Sequence, residues 1–90
     1  MLMLPLSLNL GGRSKVPDGR HIGAKGEQLY IKNGEKHRVN GPAEIHPDGT
    51  QIWFKNGLKH RVSGPAVVKP NGREEYWEEG KLIKTLKKER

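Results

Sequence analysis

The stretch YIKNGEKHRVNGPAEIHPDGTQI, residues 30–52, is followed without a gap by WFKNGLKHRVSGPAVVKPNGREE, residues 53–75. Lys-Asn-Gly, Lys-His-Arg-Val, Gly-Pro-Ala and Pro-Asp/Asn-Gly recur in register at a shift of 23 residues, an agreement that chance does not produce. Each copy reads as β-structure. Asn33-Gly34 and Asn56-Gly57 are hairpin signals, because both central residues of a type I′ turn need positive φ, which Asn and Gly tolerate best. Asp48-Gly49 and Asn71-Gly72, each behind a proline, supply the return turns. The runs between the turns are Gln28 to Lys32, Ala43 to His46, Thr50 to Lys55, Pro65 to Lys69 and Glu74 to Glu78, rich in β-branched and aromatic residues. Pro42 and Pro65 have no amide to donate, so they belong at strand starts or on a bulge, and Gly41 and Gly64 before them fit such a bend. The expected fold is all-β, an antiparallel meander of stacked hairpin repeats with about six to eight short strands.

The frame weakens in both directions. Lys15, Val16, Ile22 and Gly26 fall one period before Arg38, Val39, Ile45 and Gly49, so residues from about 13 to 29 read as a degenerate copy. Tyr76, Trp77 and Gly80 match Trp53, Phe54 and Gly57 before the pattern dissolves into LIKTLKKER. Worn terminal copies are what capping repeats look like. The chain therefore divides into an apolar segment 1–12, a repeat domain 13–80 (copies about 13–29, 30–52 and 53–75, and a partial 76–80) and a basic tail 81–90. The tail is the one segment whose pattern admits a helix, with Leu82, Ile83 and Leu86 on one side.

Only 32% of the 90 residues are apolar and there is no cysteine, so the core is thin and has neither disulfides nor thiolate zinc to support it. Repeat stacking or self-association must make up the deficit, and pairing exposed edges across a two-fold axis favours a homodimer. The opening MLMLPLSLNL is too short to span a bilayer and has no basic region before it, which favours a cytoplasmic protein. The net charge of +7 draws the chain toward anionic partners: nucleic acid, nucleotides, acidic proteins or a membrane surface. Most of the excess lies before Pro70. After it, Glu74, Glu75, Glu78 and Glu79 partly offset the lysines of the tail.

A period of this length with one hairpin per copy, aromatics before a glycine turn and a second glycine bend is similar to MORN repeats, and most of all to the variant in YwqK-type antitoxins. The resemblance covers about residues 13–80. Here His-Arg-Val-x-Gly-Pro-Ala replaces the usual Tyr-x-Gly-x-Trp and Gly-x-Gly wording. Copies with that wording also look like repeats in small proteins of bacteriophages and large viruses. The resemblance implies a hairpin array that binds rather than catalyses, with an antitoxin-like or counter-defence partner and, for a phage protein, the host cytoplasm as its place of action.

The residues agree on binding. Serines are few, carboxylates cluster near the C-terminal end and no glycine-rich phosphate loop opens a helix, so catalysis is not expected. His21, His37, His46 and His60 lack ligand spacing, and no metal or other cofactor is expected. The candidate binding residues are the triplets Lys36-His37-Arg38 and Lys59-His60-Arg61 with the aromatic column Tyr30, Trp53 and Tyr76. Ile31, Phe54 and Trp77 form the next column. As ligand groups the triplets are an anion stripe, with arginine giving bidentate donors, and the rings a stacking platform for bases. As structural groups the arginines tie down bulge carbonyls, the histidines pack on aromatic neighbours and the rings serve as cross-strand core. A two-residue loop at Asn33-Gly34 pairs Lys32 with Glu35, Ile31 with Lys36, Tyr30 with His37 and Leu29 with Arg38; a three-residue loop shifts every pair by one. The leading expectation is a protein-binding inhibitor or adaptor steered to an acidic surface. The alternatives are a binder of nucleic acid or a sequestered nucleotide, and an antitoxin-like partner protein.

Overall fold

The computed structural model describes residues 16–87. Its ten strands are β1 Gly19–Ile22, β2 Gln28–Lys32, β3 Glu35–Lys36, β4 Glu44–Ile45, β5 Gln51–Ile52, β6 Phe54–Lys55, β7 Leu58–Lys59, β8 Val67–Val68, β9 Arg73–Glu78 and β10 Lys81–Lys87. They form an eight-stranded sheet in the order β10-β9-β8-β5-β4-β2-β1, with β3 on the end of β2, and a two-stranded ribbon of β6 and β7. Every pair is antiparallel and the order follows the chain, as a meander requires. The fold is all-β, and no helix among the described residues is long and apolar enough to cross a membrane. The segment 1–12 lies outside the described residues, as do Arg13 to Lys15 and the last three residues of the tail.

The turns follow from their residues. Asn33 and Gly34 sit at φ 53° and 78°, Asn56 and Gly57 at 51° and 82°, so both loops are the two-residue type I′ turns that Asn-Gly prefers. At the opposite end of each unit, Asp48 Oδ1 accepts the Thr50 amide at 2.8 Å and Asn71 Oδ1 the Arg73 amide at 2.9 Å, closing the return turns as Asx motifs.

The tail departs from the helical expectation. Glu79 and Gly80 take φ 49° and 83°, making a third type I′ turn that folds Lys81–Lys87 back along β9 as a strand. The register runs from Glu78↔Lys81 to Arg73↔Lys87 and skips Ile83, a single-residue bulge. The β-branched Ile83 and Thr85 suit this pairing better than a helix.

The core is as thin as the composition requires. Ala43 and Ala66 are fully buried, Val67 nearly so, and among the described residues no large side chain is fully buried. The aromatic residues are half-buried. The array measures 52 × 26 × 25 Å, and its cohesion comes from ladder bonds and side-chain clamps more than from a packed interior.

Candidate functional site

The two-residue turns decide the register left open by the sequence. Lys32 pairs with Glu35 and Ile31 with Lys36, and the His37 amide donates to the Tyr30 carbonyl at 2.9 Å. Leu29 does not pair with Arg38. It lies between His21 and Glu44, because the chain leaves the ladder after His37 and rejoins it at Ala43. The excursion is a loop from Arg38 to Pro42, and the second copy makes the same loop from Arg61 to Pro65.

Each loop is pinned by its arginine. Arg38 folds back so that its guanidinium lies 3.8 Å from the centre of the Tyr30 ring and Nη1 donates to the Pro42 carbonyl at 3.1 Å. Arg61 lies 3.8 Å from the Trp53 ring and reaches Pro65 at 3.0 Å. The planar cation gains from the ring face while its fork satisfies a carbonyl that the bend took out of the sheet. A Cβ at Gly41 or Gly64 would stand 3.2 Å from that guanidinium, so a larger residue there would press on the clamp.

The histidines hold neighbouring hairpins together. His37 Nδ1 accepts the Asn56 amide at 2.9 Å and His60 Nδ1 the Glu79 amide at 3.0 Å. An accepting Nδ1 places the proton on Nε2, so both imidazoles present an Nε2–H donor in their neutral form. The Asn33 amide goes to Asp18 Oδ1 at 2.9 Å, an aspartate doing for the first hairpin what histidine does for the next two. Beside these bonds, the Gly57 amide donates to Lys36 and the Gly80 amide to Lys59.

The lysines are engaged too. Lys36 Nζ is 2.7 Å from Glu44 Oε1 and 4.9 Å from the centre of Phe54, and His46 Nε2 meets the other Glu44 oxygen at 2.5 Å. Burial alone would push the Glu44 carboxyl up, but the hydrogen bond and charge of Lys36, then those of His46, outweigh it and hold the group below the ordinary glutamate range. Val67 stands where Glu44 does one copy earlier. The acid has moved across the ladder to Glu75, which accepts Trp77 Nε1–H at 2.9 Å, while Lys59 covers the Trp77 ring at 4.4 Å. That indole bond is the main cause of a lowered Glu75 carboxyl, against a smaller opposing effect of burial. Lys84 covers Tyr76 at 4.7 Å.

Every residue of the two triplets thus has a partner within the chain, and Tyr30, Trp53 and Tyr76 each have a cation on the ring. What the structure adds is a groove of about 640 Å³ between the two loops. One wall runs from His37 to Pro42 and the other from His60 to Ser63, with Trp53, Phe54 and Lys55 between them. Val39 and Val62 stand on these walls 82% and 87% exposed. Of the candidate residues, the groove brings together His37, Arg38, Trp53, His60 and Arg61, but Lys36, Lys59, Tyr30 and Tyr76 do not line it. In the sequence the valines stand out only as the residue after each His-Arg pair. Lys84 was detectable as the residue one period after Arg61.

Set against known protein families, curated proteins and solved structures, the chain matches none.

Proposed function

We propose that this chain is a non-enzymatic binding module that grips a partner protein at the groove between its two arginine-pinned loops, as an inhibitor or adaptor. The observation that carries the reading is the pair of exposed valines, Val39 and Val62, held on rigid walls. Apolar side chains at that exposure cost solvation, and a loop already tied down loses little entropy when it is covered. The net charge of +7 supports an acidic partner by raising the encounter rate. A second reading, a small anionic ligand, draws support from the imidazoles of His37 and His60, whose Nε2–H donors belong to residues lining the same groove. It is weakened by the guanidinium groups that already occupy one face of Tyr30 and Trp53, which a stacked base would want.

The test compares the intact chain with Val39→Asp/Val62→Asp as bait in an extract of the native host, with circular dichroism to verify folding. A protein held by the intact chain and lost by the variant is the expected result. Equal retention by both would overturn the groove as the contact. Co-purified nucleic acid that dissociates steeply with salt would overturn the protein partner in favour of the anion.

A further inference from the structure

Among the described residues the C-terminal strand ends the sheet: β10 pairs with β9 alone, and all of Lys81–Lys87 is exposed, including Leu82, Ile83 and Leu86 at 51%, 56% and 43%. The interior of the array shows what its outer edge is built to accept. In the row that crosses the sheet, Leu29 pairs with Glu44, Glu44 with Ile52, Ile52 with Val67, Val67 with Glu75, and Glu75 with Thr85. Thr85 therefore occupies the place of Glu44 and Val67, each of which carries a further strand on its far side. Within the described residues the row stops at Thr85.

The side chains restrict what can continue it. Antiparallel self-pairing of β10 about its midpoint sets Lys84 against its own copy. Like charges placed opposite each other destabilise a pair, and lysine on an edge is a common guard against such association. Cross-strand partners share a face, so Lys81 and Lys84, opposite Glu78 and Tyr76, lie on one face of the sheet and Lys87, opposite Arg73, on the other. The first face complements an extended segment with acidic residues at every second position, and the chain holds a precedent for the pairing in Glu78 opposite Lys81.

We propose that the free edge of β10 is a strand-addition site for an acidic, extended segment of a partner protein, separate from the groove. Main-chain bonds from alternate residues of β10 supply the pairing, and Lys81 and Lys84 select the charge.

The experiment uses the full chain and two labelled peptides, one alternating Val and Glu, the other Val and Lys, followed by fluorescence anisotropy and by amide shifts in NMR spectra. The Val-Glu peptide should bind, shift the amides of residues 81–87 and leave those of Val39 and Val62 unmoved. Lys81→Glu/Lys84→Glu should weaken that peptide about tenfold, from the summed reversal of two cross-strand charge pairs on one face, and bring in the Val-Lys peptide. Lys81→Gln/Lys84→Gln, a milder change to the strand, should lie between the two. Equal binding of both peptides, binding of neither, or shifts confined to the groove would overturn the proposal. So would a concentration-dependent dimer, measured by light scattering, whose interface broadens the β10 amides, since a second copy would then own the edge. A groove variant that loses its partner while β10 still binds the peptide separates the two sites.

Discussion

The interior hairpins and the C-terminal hairpin solve the same problem in different ways. All three turn on a type I′ loop, and all three put a cation on the aromatic residue that faces the returning strand. In the interior the cation is an arginine that leaves the ladder and swings back from a loop, with the buried Ala43 or Ala66 filling the vacated place in the strand. At the C-terminus the cation is Lys84, directly opposite Tyr76 in an almost unbroken strand with one bulged residue. Ring covering and sheet growth therefore do not require the loop. The interior copies carry it nonetheless, and with it the exposed valines. The exposed valines lie outside that clamp, which supports the proposal that the loops carry a contact.

The comparison breaks most readily at the cations. Arg61→Ala removes a charged donor from a bent carbonyl together with the cover on Trp53, and should lower stability by about 2 kcal/mol in urea unfolding. Arg38→Ala should cost about the same by the same reasoning. Lys84→Ala loses only an exposed cation over a ring, about 0.5 kcal/mol. Similar losses at Lys84 and Arg61 would mean that the guanidinium fork does not clamp its loop.

A second contrast lies between Glu44 and Val67, the same place in successive copies. The Glu44 carboxyl is held low by Lys36 and His46, so its contribution is fully present above the ordinary glutamate value and is lost as pH falls through the lowered folded value. Protonation leaves Lys36 over Phe54 without its anion. The stability difference between the intact chain and Glu44→Val should therefore narrow in favour of the variant by about 1 kcal/mol between neutral pH and roughly pH 3. Glu75 titrates in both proteins and cancels. A difference that stays flat with pH would mean the pair with Lys36 contributes nothing.

These contrasts mark where the sequence was legible. Turns that rest on Asn-Gly, and strands such as Gln28 to Lys32 flanked by them, depend on local backbone preference and emerge directly from residue type. The loops were harder, because His-Arg-Val continues a strand by propensity. Only the guanidinium bond to Pro42 or Pro65, a contact inside the folded unit, makes leaving the ladder favourable. The pairing of Leu29 with Arg38 that a two-residue loop implies fails for the same reason, since the ladder holds only while the strand lasts. The C-terminal strand was hidden by one substitution, Glu79 where Asn33 and Asn56 stand, which removed the turn signal without removing the turn. The clamp residues Lys36, His37 and Arg38 were visible as a triplet, but composition does not say whether a cation faces a ligand or its own chain.

That substitution allows the smallest and most specific test of how far the C-terminal hairpin shares the interior design. Glu79 sits at φ 49°, within a few degrees of Asn33 and Asn56, in a region where an unbranched residue other than Gly or Asn is strained. Its amide still donates to His60, and its carboxylate stands 3.8 Å from the same imidazole while largely exposed, too weakly held to offset the backbone term. Glu79→Asn keeps the amide, relieves the strain and should raise the midpoint of thermal unfolding, corresponding to about 0.5 kcal/mol. Asn56→Glu, the reverse exchange in the interior, should lower stability by a similar amount, because the Asn56 amide to His37 is retained there as well. Opposite signs of similar size would show that the two hairpins differ at this corner only in a local backbone preference. A loss in Glu79→Asn would instead give the carboxylate a role at His60 that its distance does not suggest.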